Sequence, residues 1–278
     1  MNAMTTRRSF LAATAVASAT VPGLSAAGKV PFKLGVATYS LRKFSRPDAI
    51  AIIKRLGIEY VSVKEFHLKY TSTPEEIAAA RKEFAAAGLK ILSGGNISLA
   101  DKDPANLRKM FEYAKACGMP MMVCAPTHET LPIVHGLAKE FKIKLAIHNH
   151  GPEDKHFPSP QSVLDAIKGY DPLVGLCIDV GHTARTGVDV VESIKLAGPR
   201  LLDMHFKDLR EFKGDKARDT QVTVGEGIMP IKEIFAQLKA MNYKGGCMLE
   251  YEINADNPEA GMAKSFEYMR QVIATLPS

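Results

Sequence analysis

The chain has 278 residues, of which 46% are hydrophobic, 24% charged and 7% aromatic, with 21 Gly, 16 Pro, 4 Cys and a formal net charge of +6. This ordinary globular balance excludes disorder, collagen and coiled coil, and four Cys in so long a chain are too few for a disulfide-stapled scaffold. The length accommodates one large domain or two small ones with a sizeable core.

At the N-terminus Thr6-Arg7-Arg8-Ser9-Phe10-Leu11 precedes an uncharged run rich in Ala and Val to about Val21, then small residues ending in Ser25-Ala26-Ala27. A positive start, a short apolar stretch and a small-residue cleavage site read as a twin-arginine export signal over residues 1–27, which predicts a periplasmic or exported protein with residues 28–278 as the mature domain. No later stretch approaches the roughly 18 apolar residues of a bilayer span, so no stable membrane insertion of the mature form is expected. Arg7 and Arg8 are the only charged residues of the segment, so its removal lowers +6 by two to +4. With acids and bases interleaved at that charge, nucleic acid is not an expected partner.

Beyond the signal, short apolar runs alternate with stretches of helical period, the pattern of βαβ units. In chain order the pairs are a strand at 33–38 and helix at 47–56, 60–63 and 74–87, 90–93 and 104–117, 121–125 and 129–141, 144–148 and 160–167, 174–179 and 188–197, 201–205 and 230–241, and 247–250 and 258–275. Proline in the first turn opens several helices, and Gly57, Gly88, Gly118 and Gly169 mark ends. Eight pairs in about 250 residues predict a single-domain α/β fold, the (β/α)8 TIM barrel. An open doubly wound sheet fits less well, because Ala37-Thr38-Tyr39-Ser40-Leu41 stands where a glycine-rich G-x-G-x-x-G turn would follow the first strand. Gly94-Gly95-Asn96 reads as a tight turn out of the third strand. Cys124, Cys177 and Cys247 sit in apolar runs and Cys117 near a helix end, so inert buried thiols are expected in spite of the oxidising compartment.

In a barrel of this kind chemistry gathers where the strands end. There stand Lys64-Glu65-Phe66-His67 after the second strand, Asn96 after the third, His148-Asn149-His150 at the fifth, Asp179 and His182 at the sixth, His205-Phe206-Lys207-Asp208 at the seventh and Glu250-Tyr251-Glu252 at the eighth. A lone strand-end His is usually structural, but His148, Asp179, His205 and Glu250 end four successive apolar runs. Imidazole and carboxylate from adjacent strands suit a divalent cation, whether Mn, Co, Zn, Fe or Mg, with positions left open for vicinal substrate oxygens. Such a cation polarises a carbonyl, the requirement for removing a neighbouring proton.

These residues resemble the xylose-isomerase-like TIM-barrel superfamily of sugar isomerases, epimerases, inosose dehydratases and endonuclease IV relatives. The likeness is carried by Cys177-Ile178-Asp179-Val180-Gly181-His182, Leu202-Asp203-Met204-His205-Phe206-Lys207-Asp208, Gly225-Glu226-Gly227 and Met248-Leu249-Glu250-Tyr251-Glu252. It implies metal ligation by Asp179, His205 and Glu250 and substrate contact by His182. His148 stands where the sugar epimerases usually place a Glu that both ligates metal and takes the proton, and a metal-bound neutral imidazole accepts protons poorly. The stretch from His148 to Pro160 and Lys64-Glu65-Phe66-His67 instead resemble an exported branch, often labelled sugar phosphate isomerase/epimerase, that includes 3-keto-glycoside lyases.

The implied reaction is metal-dependent β-elimination from a 3-keto-glycoside, with Lys64, Glu65, His150 and Lys207 as candidates for acid and base, and His67, Asn96, His182 and Glu226 for substrate contacts. Lys64-Glu65 could equally be a solvated ion pair, Lys207-Asp208 a rim salt bridge, and Glu252 a support for the metal site. The expected partner is a small-molecule sugar or glycoside, and a homo-oligomer is compatible with the sequence. The alternatives are a sugar isomerase or epimerase and a sugar- or metal-binding barrel without turnover. A DNA phosphodiesterase is disfavoured by charge and export.

Overall fold

A fully buried apolar run has no polar face to offer solvent and finds its place between two neighbours of a parallel sheet. In the computed structural model, which describes residues 31–212 and 220–277, eight such runs close into a parallel barrel. They are β1 (Lys33–Ala37), β2 (Tyr60–Val63), β3 (Lys90–Leu99), β4 (Met121–Pro126), β5 (Lys144–His148), β6 (Val174–Asp179), β7 (Leu201–Phe206) and β10 (Gly246–Leu249), the last seated between β7 and β1. The export segment predicted over residues 1–27 lies outside the described residues.

Around the barrel run α1 (Arg46–Arg55), α2 (Pro74–Ala86), α3 (Pro104–Ala116), α4 (Leu131–Phe141), α5 (Pro160–Ala166), α6 (Val180–Arg185), α7 (Val190–Ala197), α8 (Ile231–Ala240) and α9 (Glu259–Ala274). Their starts follow local chemistry. Ser45 accepts from the Asp48 amide ahead of α1, and Thr73 with Glu76 closes a reciprocal capping box on α2. Between strands and helices, Phe84, Phe111, Phe206, Phe235 and Phe266 are fully buried. A smaller cluster of Met121, Val123, Ala146 and Cys177 fills part of the barrel interior. The single-domain (β/α)8 barrel expected from the sequence is therefore present, and all four Cys are buried and free.

The structure departs from expectation in three places. Gly94-Gly95-Asn96 is not a turn but lies within β3, which continues to Leu99 past a register shift against β4. The glycine is needed there because Gly95 has φ 141° and a Cβ on it would collide with the Val123 carbonyl. Second, α6 starts directly from Asp179, ahead of the expected helix that becomes α7. Third, β8 (Asp208–Leu209) and β9 (Gln221–Val222) form an antiparallel pair outside the barrel.

Candidate metal centre

Side chains two apart on a strand share a face, so His148, Asp179 and His205, each ending or nearly ending its strand, all turn into the C-terminal mouth of the barrel. Register sets them side by side, with Asp179 opposite His205, while Glu250 follows directly on β10. One donor atom from each of His148, Asp179, His205 and Glu250 lies within 4.8 Å of the others, and all four residues are buried. His148 Nε2 is 3.2 Å from His205 Nδ1 and 3.6 Å from Asp179 Oδ2, and His205 Nδ1 is 3.3 Å from Glu250 Oε2.

Lys207 completes the group. Its ammonium, only 3% exposed, lies 3.0 Å from Asp179 Oδ2, from Glu250 Oε2 and from Glu252 Oε2. Lys207 and Asp208 do not form the rim salt bridge that the sequence also allowed. Successive residues of an extended chain face opposite ways, and Asp208 instead accepts from the amides of Gly225, Gly227 and Met229.

The electrostatics follow from burial and these contacts. Burial would raise Asp179 and Glu250, but the Lys207 charge, helped by His182 at the first and His205 at the second, holds both well below the usual carboxylate range. Burial pushes His148 down to about 4, so it is neutral at pH 7. Burial likewise opposes charge on His205, but the Cys177 sulfur and the Glu250 carboxylate outweigh it and hold the imidazole well above its ordinary value. Lys207 stays protonated because Asp179, Glu250 and Glu252 overcome its desolvation.

These residues fit a divalent cation. Two imidazoles and two low-pKa carboxylates present a mixed nitrogen and oxygen donor set, and Asp179 Oδ2 is fully buried with only the Lys207 ammonium and the His148 ring facing it. The surroundings fix the ligands: the Asp179 amide donates to Asn149 Oδ1, Asp179 Oδ1 accepts from the His182 amide, and the Asn149 amide group donates to Thr183 Oγ1. Beneath, Ser93 donates to Asp203 Oδ2 across 2.9 Å in the barrel interior, and burial pushes Asp203 up to about 6.

A family model described as xylose isomerase-like TIM barrel matches residues 50–272. The chain belongs to this family. Inosose dehydratase of Lactiplantibacillus plantarum is 28% identical over 129 residues, 42% of each chain, so the matched part spans less than half of that relative's length. A crystal structure of an uncharacterized protein from Parabacteroides distasonis shares 25% identity and a TM-score of 0.67 over 87% of this chain and 99% of the other. D-psicose 3-epimerase from Clostridium cellulolyticum has the same fold at 15% identity, with a TM-score of 0.71 over 87% and 99%.

Within this xylose isomerase-like barrel the remaining candidates fall into two groups. His150 stands at the mouth, 44% exposed, its ring centroid 4.8 Å from that of His148 and 5.1 Å from that of His182, with Asp154 Oδ2 3.8 Å from Nδ1. His182 is buried, and burial holds it well below its ordinary pKa; its Nδ1 faces Arg185 at 3.0 Å. Lys64 pairs with Glu65 at 3.1 Å and donates to the Asn96 carbonyl at 2.7 Å, which joins the ends of β2 and β3. The other two are not gathered with them. His67 is buried, its Nε2 3.2 Å from the Leu41 carbonyl, and Glu226 is exposed on the turn that Asp208 holds.

Sequence reasoning did not single out Arg185 or Gln221. Arg185 pairs with Glu153 and faces His182, and Gln221 donates to the Glu250 carbonyl and accepts from the Glu252 amide. Arg185 carried a signal, since it lies three residues after His182, one turn along a helix. Gln221 carried none, because only the β8–β9 pairing brings it to the end of β10.

Proposed function

We propose that the protein is a divalent-metal-dependent lyase that acts on 3-keto-glycosides, exported by its N-terminal signal. The observation that carries the reading is the convergence of His148, Asp179, His205 and Glu250 at a barrel mouth that also holds a half-exposed acid–base candidate, His150. Held by those four side chains, a divalent cation would polarise the substrate carbonyl and so acidify the adjacent C–H.

The protein's own groups divide the remaining work. His150, oriented by Asp154, takes the proton at C2, next to the C3 ketone. The electron pair of that C–H bond forms the C1–C2 double bond as the C1–O bond breaks, and the leaving oxygen takes up a proton, giving the free aglycone and a 1,2-unsaturated 3-keto sugar without water. Lys64 and Glu65, paired on the β2 side of the mouth, supply that proton and hold sugar hydroxyls. Lys207 cannot serve as a base because its three carboxylate neighbours keep it charged; it opposes the negative charge that builds on oxygen. Elimination is favoured over epimerisation by His148, an imidazole where a proton-accepting carboxylate would be needed, and by the dehydratase named among the relatives. An extracytoplasmic setting agrees with an unphosphorylated sugar.

The test is elemental analysis of the purified protein, then mass spectrometry of a 3-keto-glucoside incubated with and without chelator. Aglycone and unsaturated keto sugar in equal amounts, lost with chelator and restored by metal, are expected. Absence of metal, or metal without elimination, overturns the reading.

A further inference from the structure

Exposed apolar area at the mouth of a polar sugar site needs a reason, because leaving an aromatic ring in water is unfavourable. Four large hydrophobic side chains are exposed among the described residues, Phe66, Val188, Leu196 and Ile228, and Phe66 is the aromatic one, at 48%. It follows Lys64 and Glu65 in the turn that leaves β2.

The ring is not alone. It meets Tyr39, in the 3-10 turn that follows β1, with centroids 5.9 Å apart and planes inclined by 57°. Tyr39 is itself fixed, since the Arg42 guanidinium lies 4.7 Å from its ring centroid and donates to the Tyr39 carbonyl and, at 2.8 Å, to the Glu252 carbonyl. The side chain of Glu252 reaches Lys207, and Thr38 Oγ1 accepts the Lys64 amide at 2.8 Å. The aromatic pair is thereby tied on one side to Lys64 and Glu65 and on the other to the β10 end of the metal centre. The cation ligands come from β5, β6, β7 and β10, and β1 alone separates β10 from β2, whose exit carries Lys64, Glu65 and Phe66; a leaving group protonated by the Lys64–Glu65 pair would therefore lie beside Phe66.

We infer that Phe66, steadied by Tyr39, is a stacking subsite for the leaving group, and that the natural substrate is a glycoside whose aglycone carries a ring rather than a small alkyl group. The inference rests on the elimination reading and adds the substrate class to it. An aromatic ring, through its π face or C–H edge, and a second sugar, through its apolar C–H face, both offer a surface that such a pair accepts.

The experiment compares wild type with Phe66→Ala on methyl, phenyl and glucosyl 3-keto-β-glucosides, and measures binding of the unoxidised phenyl and methyl β-glucosides by saturation-transfer NMR and calorimetry. Wild type should prefer at least one ring-bearing substrate over methyl by about tenfold in kcat/KM, and Phe66→Ala should lose that preference while keeping methyl turnover within about twofold. Phenyl ahead of glucosyl identifies an aromatic aglycone, and the reverse a disaccharide. Equal rates on all three, or an equal loss on all three in the variant, overturn the inference and leave the elimination reading standing. If none is cleaved the elimination reading fails, and the subsite is then judged by binding: a phenyl-over-methyl ratio unchanged in Phe66→Ala overturns it.

Discussion

Replacing Lys207 by Met keeps the length of the side chain and removes its charge from among three carboxylates. Each ion pair at 3.0 Å is worth about 5 kcal/mol of attraction at an effective dielectric near 20. The contact to Glu252, whose side chain is 38% exposed, is screened and adds little. Against these gains stands the desolvation of the ammonium, so the expected net loss is that of breaking a buried pair, about 3–5 kcal/mol. For a domain of this size the midpoint of thermal unfolding in chelator should fall by about 10 °C. A divalent cation at the four-ligand site supplies positive charge to Asp179 and Glu250, so saturating metal should raise the midpoint of Lys207→Met more than that of wild type. The assay is scanning calorimetry of both proteins with chelator and with Mn2+. A chelated variant within about 1 kcal/mol of wild type, or the same metal-induced gain in both, would refute the role given to Lys207.

Burial holds the Asp203 carboxyl up to about 6, above its unfolded value, so in the folded protein its ionised form is a liability that grows as pH rises from the unfolded value through 6. Asp203→Asn should therefore stabilise by about 3 kcal/mol at pH 8 and by almost nothing near pH 4, as read by urea unfolding; a gain equal at both pH values would contradict this. Arg185→Gln removes the cation that faces His182 Nδ1 and pairs with Glu153, and should lower kcat/KM about tenfold with metal content unchanged; wild-type kcat/KM would remove Arg185 from the site. The His205 imidazole is held above its ordinary value by its Cys177 and Glu250 neighbours, yet coordination needs its lone pair. Metal uptake should accordingly release about one proton and tighten with rising pH below the folded value of His205, and calorimetric enthalpies that do not vary between buffers of different ionisation heat would disprove it.

The barrel was legible because its strands are buried on both faces. Lys144–His148 and Val174–Asp179 emerge with the bounds read from their apolar runs, and Pro at the head of α2, α3 and α5 marks those starts. What was lost had no period to reveal it. Strands of two residues, as in β8 and β9, are shorter than any alternation, and a six-residue helix beginning Val180-Gly181 gives neither a face nor good propensity. Gly94-Gly95 reads as punctuation, although its glycine serves the close approach of the Val123 backbone inside a strand.

The candidate metal centre was legible for the same reason as the strands, since a polar residue ending a buried run has only the mouth of the barrel to enter. The groups around it were not, because they lie on turns whose direction depends on tertiary contacts. Phe66 and His67 are neighbours in sequence, yet one is exposed and the other packs under Leu41; Lys207 and Asp208 are neighbours, yet one faces three carboxylates and the other caps a distant turn. That last separation decides the charge of the mouth. Asp179, Glu250 and Glu252 carry three negative charges against the single positive charge of Lys207, with His148 neutral, and a proton on His205 cancels only part of the remainder. Two unbalanced negative charges beside two imidazole donors call for a divalent cation, which would neutralise the pair that the His205 proton alone leaves incomplete.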